Sequence, residues 1–591
     1  MPLRTATAAW LLAVTLTLPA LAFEDGPTPA PPSPWRFSVV PEQWQRDIPP
    51  AKALFVPTQV TRDDEVQRVT LKEAIAIALE SNPGIAARRY EPTRVEQDVV
   101  EAQGIFDPAA NGSATWSSTV TPNPSALTGT RTSNVDARTF DLGLSKLFRS
   151  GTQLGLDATS DRLDNNAEFY ELRPQYTPSL GFSLVQPLLR DFGWDFTYLV
   201  VRAAERGADA ARWQFEADLQ DFVTRVIVAY WRVVGTREAV TVQRESKALA
   251  DRTVEENRAR VDVGLLPPVA VLEAQSQATA RETQVIEAEN DLDVARTELA
   301  QLAFFRPSGT FVPRTLEPVE GVDLETVRPD LDEALDLALV RRPEVHASAQ
   351  GVELRQIQER LASNALLPRL DLVGGYGVNG LAGRPRVGTR TVTFVSQAPV
   401  PGRNCSFISA EVYLCELQVV QPTSPFAGSE RQAWDRTVSG DYESYNFGVQ
   451  LQVPLDNAAA RGRHTRSAIE LNQAELRHRE LLSQVTLEVR RSGADVSGAR
   501  ERIASSRVAR ELAEENLRNQ TKRHEVGMAT TKDLLDFQTQ LTQARFAEVQ
   551  ANIDYAVAVA RWRRAQGVLL EHYQIEIARP GERSTPWFAR F

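Results

Sequence analysis

Apolar residues alternate with small or polar ones in several short blocks of the chain. Within residues 443–454, Phe447, Val449, Leu451 and Val453 alternate with glycine and glutamine, which predicts a strand with one apolar face. The same alternation occurs near residues 112–120, 138–148, 152–160, 178–187 and 369–377. It suits a barrel with lipid outside and water inside, and it equally suits a soluble sandwich with one buried face. The sequence therefore predicts about four strands in the first half and two in the second.

Elsewhere the apolar residues are spaced by four and three in alternation, which is typical of a packed coiled-coil seam. In the first half these positions are Phe215, Leu219, Phe222, Val226, Ala229 and Val233. They lie in a predicted helix from about residue 195 to 262, which at about 1.5 Å per residue would be roughly 100 Å long. Returning helices are predicted near residues 269–303 and 532–568. No compact core encloses helices this long, so they must pack side by side against other long helices, from the same chain or from others.

The same order of elements occurs twice. Each half opens with a short amphipathic helix before a proline, at residues 71–79 and 331–339. A Pro-Leu strand end and a Val-Gly turn follow in both halves, and the three matched elements are 260, 267 and 263 residues apart. A nearly constant offset indicates two copies of one unit. The predicted segments are a Pro-rich strap at 23–68, a first repeat at 69–327, a second repeat at 328–570 and a tail at 571–591.

The N-terminus predicts export from the cytoplasm. A basic start, an apolar stretch and Ala20-Leu21-Ala22 match a secretory signal peptide over residues 1–22, cut after Ala22. A single transmembrane helix is the alternative, but the apolar stretch is shorter than the roughly 20 residues that a span needs. No later segment resembles an apolar spanning helix. A membrane-spanning part would therefore have to consist of strands.

The two cysteines, Cys405 and Cys415, lie in a Gly/Pro-rich stretch between the two strands of the second half. In an oxidising compartment they are expected to form a local disulfide, with two free thiols as the alternative. The stretch is about 65 residues long. Because a loop of this length usually has a function or is disordered, we interpret the stretch as an extracellular loop.

Composition and motifs exclude several functional classes. The net charge of −11 and the lack of a basic stripe argue against a nucleic-acid partner. Residues 375–380 fit GxGxxG, but Pro385 follows too soon for the helix that would seat a phosphate. The five histidines are scattered without ligand spacing. The sequence therefore predicts no enzyme activity, no cofactor and no metal site.

Together, the signal peptide, the duplicated strand-plus-hairpin units and the Val-Gly turns resemble the TolC outer-membrane efflux protein family over roughly residues 69–570. The resemblance implies an α+β membrane protein and a homotrimer. One transmembrane β-barrel, in contact with outer-membrane lipid, would continue into a long periplasmic α-helical coiled-coil barrel. The first repeat departs from the family's two-strand pattern by two additional strands, which leaves the strand count of the barrel open.

The resemblance also assigns roles to the two turns. Their residues match the family's tips that dock onto a periplasmic adaptor: Val263, Gly264, Leu265 and Leu266, and Val526, Gly527, Met528 and Ala529. Ordinary hairpin turns without a partner are the alternative. Beyond the second turn, Asp533 and Asp536 match aspartates that line the family's periplasmic entrance, where three-fold symmetry would form carboxylate rings. A solvated helix face is the alternative. His524 lies beside this expected gate and introduces a possible response to pH.

The implied function is the outer-membrane exit duct of a tripartite efflux or type I secretion system. Such a duct conducts substrates passively from an adaptor and an inner-membrane pump of the RND or ABC type to the exterior. Drugs, metal ions and secreted proteins all remain open as cargo. The alternatives are a periplasmic adaptor, which should lack the alternating strands and the duplication, and a structural coiled-coil protein of the envelope.

Overall fold

The computed structural model describes residues 67–123, 130–167, 170–303, 316–321, 326–385, 389–409, 412–420 and 424–575. The predicted signal peptide with its cleavage after Ala22, nearly all of the Pro-rich strap and most of the tail lie outside these residues. The repeat boundaries predicted from the sequence stay predictions.

Twelve strands and eleven helices are found in the described residues. The strands are β1 (Gln67–Val69), β2 (Ala109–Pro122), β3 (Thr132–Leu147), β4 (Gln153–Asn165), β5 (Leu172–Pro187), β6 (Leu316–Pro318), β7 (Arg369–Asn379), β8 (Ala382–Pro385), β9 (Thr389–Ser396), β10 (Cys405–Ser409), β11 (Val412–Val420) and β12 (Glu443–Gln452). The helices are α1 (Leu71–Ser81), α2 (Pro83–Gly104), α3 (Trp194–Thr197), α4 (Leu199–Asp262), α5 (Val269–Ala303), α6 (Leu331–Arg341), α7 (Pro343–Asn364), α8 (Glu430–Ser439), α9 (Ala458–Glu525), α10 (Thr531–Ala565) and α11 (Leu569–His572).

The six strands predicted by alternation are all present and belong to one antiparallel sheet. Its order is β12-β7-β5-β4-β3-β2, and the short β8 pairs with β5 outside this path. Strands from the first and second halves of the chain meet where β5 pairs with β7, with Phe182 opposite Tyr376. The sheet therefore joins the two repeats along their strands.

Each half begins with two helices rather than the one predicted. α1 and α6 end before Pro83 and Pro343, as expected, but each proline opens another helix of 22 residues. A proline suits the first helical position, because its missing N–H has no partner there in any case. At the first junction, Asn82 Oδ1 accepts hydrogen bonds from the N–H groups of Gly84 and Ile85. The prolines thus mark a change of direction and not the end of the helical region.

Three helices of the hairpins, α4, α5 and α10, agree closely with the predicted bounds of 195–262, 269–303 and 532–568. α4 has 64 residues and α9 has 68, and each is followed after a short turn by a returning helix of 35 residues. At about 1.5 Å per residue, α4 and α9 are each roughly 100 Å long. No described helix is long and apolar enough to cross a membrane.

The apolar seam predicted from heptad spacing in the first half lies in the helical core. On α4, the buried seam residues are Leu219, Phe222, Val226, Ala229 and Val233, whereas Phe215 is half-buried. They pack in a cluster with residues of α1, α5 and α10. A second cluster joins Val485, Val489 and Val496 of α9 to α6 and α10. Both clusters include α10, so the second hairpin packs against the first within one chain.

The Gly/Pro-rich stretch of the second repeat has more structure than the predicted loop. It contains β8, a three-stranded antiparallel sheet in the order β10-β11-β9, and α8. Cys405 and Cys415 lie opposite each other in the β10–β11 pairing and are joined by a disulfide. The strands here are short and bounded by glycine and proline, so their alternation is weaker than in the main sheet.

Candidate functional site: the two hairpin tips

The first hairpin turns at residues 263–268 through a Schellman motif. Gly264 has a φ of +79°, and its N–H donates to the Val261 carbonyl at 2.9 Å. The N–H of Leu265 donates to the Arg260 carbonyl at 2.8 Å. Only glycine adopts this left-handed conformation readily, so the residue type follows from the backbone. Pro267 and Pro268 then precede α5.

The second hairpin repeats this turn bond for bond. Gly527 has a φ of +75°, its N–H donates to the His524 carbonyl at 3.1 Å, and the Met528 N–H donates to the Arg523 carbonyl at 2.8 Å. The chain then starts α10 at the N-cap Thr530. The Val-Gly repeat found in the sequence therefore corresponds to one backbone geometry used twice.

Apolar side chains flank each turn glycine and point into solvent. Val263 and Leu265 are 69% and 74% exposed, and Val526 and Met528 are 66% and 70% exposed. Leu266 and Ala529, the remaining members of the predicted tips, are half-buried. Each tip thus presents two large apolar groups on a rigid turn.

Polar contacts between the hairpins hold the two tips together. Arg260 Nη1 donates to the His524 carbonyl at 3.2 Å. Asn257, which is fully buried, donates from Nδ2 to the Ala270 carbonyl at 3.2 Å and to Thr531 Oγ1 at 3.3 Å. The bonds to His524 and Thr531 cross from α4 to the second turn and to the start of α10, whereas the bond to Ala270 stays within the first hairpin. The two tips of one chain therefore form one unit.

Further from the tips, the contact between α4 and α10 continues as a buried polar seam. Gln538 Nε2 donates to Thr253 Oγ1 at 3.1 Å, and Thr542 Oγ1 donates to Ser246 Oγ at 3.0 Å. All four side chains are at most 8% exposed. Sequence reasoning missed this seam, although Ser246, Thr253 and Asn257 are themselves spaced by seven and four along α4. Hydrogen bonding between buried polar side chains holds the helices in register here.

Of the predicted gate aspartates, Asp533 caps α10. Its Oδ2 accepts hydrogen bonds from the Thr530 N–H at 3.0 Å and from Thr530 Oγ1 at 2.7 Å, and its own N–H donates to Thr530 Oγ1 at 3.2 Å. The hydrogen bond from the Thr530 hydroxyl, followed by the one from the Thr530 backbone, lowers the pKa of Asp533. Asp533 is therefore an exposed carboxylate that stays ionised near neutral pH.

The other two gate residues differ in their surroundings. Asp536 is exposed, and no hydrogen bond or ion pair to its side chain is found within the described ranges. His524 is only 4% exposed, and its Nδ1 donates to the Ala529 carbonyl at 3.0 Å. In the single chain, the buried His524 side chain thus stabilises the second tip through this hydrogen bond. Asp533 and Asp536 face solvent near the start of α10.

Across the described part of the chain, no cluster of three or more His, Cys, Asp or Glu side chains is placed to hold a metal ion.

Comparisons with known proteins agree with this architecture. The family model described as outer membrane efflux protein matches residues 74–303 and 425–568, which together exceed half of the chain. The chain is 23% identical over 415 residues to Outer membrane protein TolC of Vibrio cholerae serotype O1, covering 68% of this chain and 78% of that protein. It is also 23% identical over 385 residues to Outer membrane efflux protein BepC of Brucella suis biovar 1, covering 65% of this chain and 70% of that protein.

A solved structure shares the fold. The crystal structure of the Campylobacter jejuni CmeC outer membrane channel aligns with a TM-score of 0.57 at 14% identity, over 84% of this chain and 86% of that chain. At this level of identity, the likeness concerns the fold.

Proposed function

We propose that this chain, which belongs to the outer membrane efflux protein family, acts as a trimeric exit duct that conducts solutes passively from the periplasm to the exterior. It is an outer-membrane protein that extends into the periplasm, like the TolC and BepC proteins that it resembles. The family is one of channels and not of enzymes. In the proposal, three copies share one transmembrane barrel and one helical tunnel, and energy comes from an inner-membrane pump of the RND or ABC type.

The observation that carries this proposal is the placement of the sheet and the tips along the chain. α4 follows the sheet strand β5 and leads, over 64 residues, to the first tip, and α9 leads from β12 over 68 residues to the second. The sheet and the tips are thus separated by roughly 100 Å of helix. A duct that joins a membrane to a partner across the periplasm needs this separation.

The tips suit docking to a periplasmic adaptor. Four large apolar side chains are exposed on two turns whose backbone glycine permits and hydrogen bonds fix, so little backbone entropy is lost on binding. Burying a side chain of this size stabilises a complex by about 1.5–3 kcal/mol. Because both turns have the same backbone geometry, the proposed adaptor uses one kind of surface to bind either turn.

Asp533 and Asp536 are proposed to form the cation-attracting entrance. Both are exposed at the start of α10, directly beyond the second tip. Three copies would bring six carboxylates to one constriction, where their combined negative charge attracts cations. Any closure is proposed to rest on the polar contacts of Arg260 and Asn257.

Single-channel conductance in a planar bilayer tests the duct. Discrete conductance steps that divalent cations reduce are expected for the wild type, and weaker reduction is expected for Asp533→Ala plus Asp536→Ala. If the double variant kept the full divalent block, the carboxylate entrance would be wrong. If neither protein conducted, the chain would be a structural envelope protein instead.

Adaptor docking needs its own experiment. A photo-crosslinker at position 265 is expected to capture a periplasmic adaptor in intact cells, and the same probe at position 120 in β2 serves as the control. Leu265→Asp plus Met528→Asp should abolish transport while leaving conductance intact, whereas Leu265→Ile plus Met528→Leu should preserve both. Loss of transport in the conservative pair as well would argue against apolar docking.

A further inference from the structure

The main sheet ends in two strands that lack a partner on one side. β2 and β12 are the last strands of the path β12-β7-β5-β4-β3-β2 within the described residues. All 14 residues of β2 are exposed, and so are nine of the ten residues of β12. Each edge presents a row of backbone N–H and C=O groups, and in lipid each unsatisfied group costs several kcal/mol. Both edges therefore need a strand from outside the chain.

The two faces of the sheet differ in composition from one edge to the other, although Arg138 and Arg162 lie on the apolar face and Val185 and Val373 on the opposite one. One face carries large apolar side chains: Trp116 and Val120 of β2, Phe140, Leu142 and Leu144 of β3, Leu156 of β4, Phe182 of β5, Tyr376 of β7, and Tyr445, Phe447, Val449 and Leu451 of β12. The other face carries small or polar residues: Ser113, Thr115 and Ser117; Asp141 and Gly143; Gly155, Asp157 and Thr159; Gly181 and Ser183; Gly375 and Gly377; Ser444, Asn446 and Gln450. A second copy of the same sheet would continue both faces without interruption.

Strand direction points to the same partner. Each neighbouring pair in the path is antiparallel, and the path has six strands, so β2 and β12 run in opposite directions. β12 of one copy would thus meet β2 of the next in antiparallel orientation, as all strands of up-and-down membrane barrels do. An odd number of strands would have forced a parallel junction.

We propose that three copies close one barrel of 18 strands, six from each copy, in which β12 of one copy pairs with β2 of the next. This inference rests on the proposed function, since it takes the trimer and the membrane location from it. It also assigns a role to the two additional strands of the first repeat: β3 and β4 are members of the barrel wall, and they widen its lumen.

The hairpin of β3 and β4 is integrated into the sheet. β3 pairs with β2 along the whole of β2, and β4 pairs with β5 from Gln153 to Leu163. Between β3 and β4 the chain makes a tight turn, with the Phe148 N–H donating to the Thr152 carbonyl at 2.8 Å. Removal of the hairpin would leave four strands per copy, or 12 in a trimer.

Eighteen strands make a wider opening than 12. With strands about 4.8 Å apart and tilted by about 40°, the backbone diameter is roughly 36 Å for 18 strands and roughly 24 Å for 12. Inner side chains take up little of this width, because glycines lie opposite the polar residues: a methyl group on Gly155 or Gly181 would collide with Ser183 or Asp157. The cross-section is therefore about twofold larger, which suits bulky hydrated solutes such as polymers or polypeptides.

The wall of this lumen is polar and internally bonded. Asp141 accepts hydrogen bonds from Ser113 Oγ on one neighbouring strand and from Thr159 Oγ1 on the other, each at 2.9 Å. These bonds cross β2, β3 and β4 on the small-residue face, so the additional strands share one hydrophilic surface with β2. A surface of this kind is compatible with water and not with lipid.

Cysteine cross-linking between copies tests the strand count. Gln450→Cys in β12 would be combined in turn with Ser113→Cys, Thr115→Cys and Ser117→Cys in β2, all on the small-residue face. Oxidation of the purified trimer in its detergent is expected to give covalently linked copies for at least one pair. The control combines Gln450→Cys with Thr159→Cys in β4, and no linkage is expected. Cys405 and Cys415 are already bonded to each other and do not compete.

The outcomes separate the two proposals. Linkage through β4 instead of β2 would mean that the β2–β3 pair lies outside the wall and would overturn the 18-strand barrel. Conductance without linkage in any β2 combination would also overturn it while leaving the duct intact. A protein that neither conducts nor forms trimers would contradict the proposed function itself.

Polymer exclusion measures the width independently. Polyethylene glycols of increasing size would be added on the extracellular side, and the largest that still lowers the conductance gives the width of the mouth. Deletion of residues 132–171, which removes β3 and β4, is expected to reduce the cut-off radius about 1.5-fold, since barrel diameter grows roughly linearly with strand number. An unchanged cut-off in a conducting deletion variant would contradict the proposal. If the deletion variant fails to fold, the cross-links decide.

Discussion

Replacement of Gly527 by alanine should loosen the second tip without a steric clash. A β-carbon at this position meets no atom within 4 Å, so the surroundings accept it. The backbone does not readily accept a residue with a β-carbon, because φ at position 527 is +75°. Any effect of Gly527→Ala therefore measures the conformational cost of the left-handed turn alone.

The magnitude follows from the cost of that conformation. An L-residue in the left-handed helical region is less stable than glycine by about 1–2 kcal/mol. The turn holds two hydrogen bonds, Gly527 N–H to the His524 carbonyl and Met528 N–H to the Arg523 carbonyl, and both break when the turn opens. A cost of one or two kcal/mol corresponds to a factor of about 5–30 in the opening equilibrium.

Hydrogen exchange of the tip amides is the assay. The amides of residues 527 and 528 are expected to exchange about 5–30-fold faster in Gly527→Ala, after correction for intrinsic rates. Gly498→Ala in α9, the helix that leads to this turn, is the matched control, because a β-carbon there only approaches Arg502 Nη1 at 3.7 Å and the residue is helical. Alanine in a helix interior is more stable than glycine by about 1 kcal/mol, so the control should slow local exchange.

The two variants should change amide exchange in opposite directions. If Gly527→Ala left the exchange of these amides within twofold of the wild type, positive φ would not be the reason for glycine at the tip. If both variants accelerated exchange, a general loosening of α9 would explain the result instead. Gly264→Ala in the first tip should reproduce the effect, since its φ is +79° and its surroundings are equally open.

Three further predictions concern the cap, the disulfide and the core. The Thr530 hydroxyl lowers the pKa of Asp533 below its ordinary value of 3.8. The capping bond should therefore be fully present above pH 3.8 and lost as the pH falls through the lowered pKa. Below that pKa, the wild type and Asp533→Asn should no longer differ in the hydrogen-exchange protection of α10. Reduction of Cys405–Cys415 should destabilise β10 and β11 by about 2–3 kcal/mol and leave the helical hairpins unchanged, as segment-resolved hydrogen exchange would show. Tyr230→Ala should lower the free energy of unfolding by about 3–5 kcal/mol, because the side chain is fully buried, whereas Tyr230→Phe should cost about 1 kcal/mol; denaturant titration in detergent measures both.

Periodicity predicted the main architecture because each of its elements keeps one apolar face. The strands around residues 112–120 and 443–454 alternate because one face is largely apolar and the other small or polar; the structure extends the first to Ala109–Pro122 and ends the second at Gln452. The long helices were equally clear, and the predicted bounds of α5 were those observed. In these segments, local pattern and tertiary packing specify the same element.

Sequence reasoning failed where one residue type serves two purposes. Pro83 and Pro343 indicated helix ends correctly, yet proline also starts helices, and only the surrounding structure decides whether another helix follows. The buried polar seam between α4 and α10 was not predicted, for a related reason. Asn257 and Thr253 interrupt the apolar heptads, so a search for apolar spacing passes over them, although their hydrogen-bond partners on α10 complete the same seam.

The contact between α4 and α10 changes in kind along its length. In the helical core, a β-carbon on Gly235 of α4 would overlap the Ile553 side chain of α10, so this side chain packs directly against the backbone of α4. Toward the tips, the contact consists of hydrogen-bonded side chains such as Thr253 with Gln538 and Asn257 with Thr531. Net hydrogen-bond contributions are about 0.5–1.5 kcal/mol each, and water can replace these bonds when the helices separate. Apolar packing offers no such substitute, because its exposure to water is unfavourable. Separation of the hairpins therefore costs least at the tips, which is the end where the proposed entrance lies.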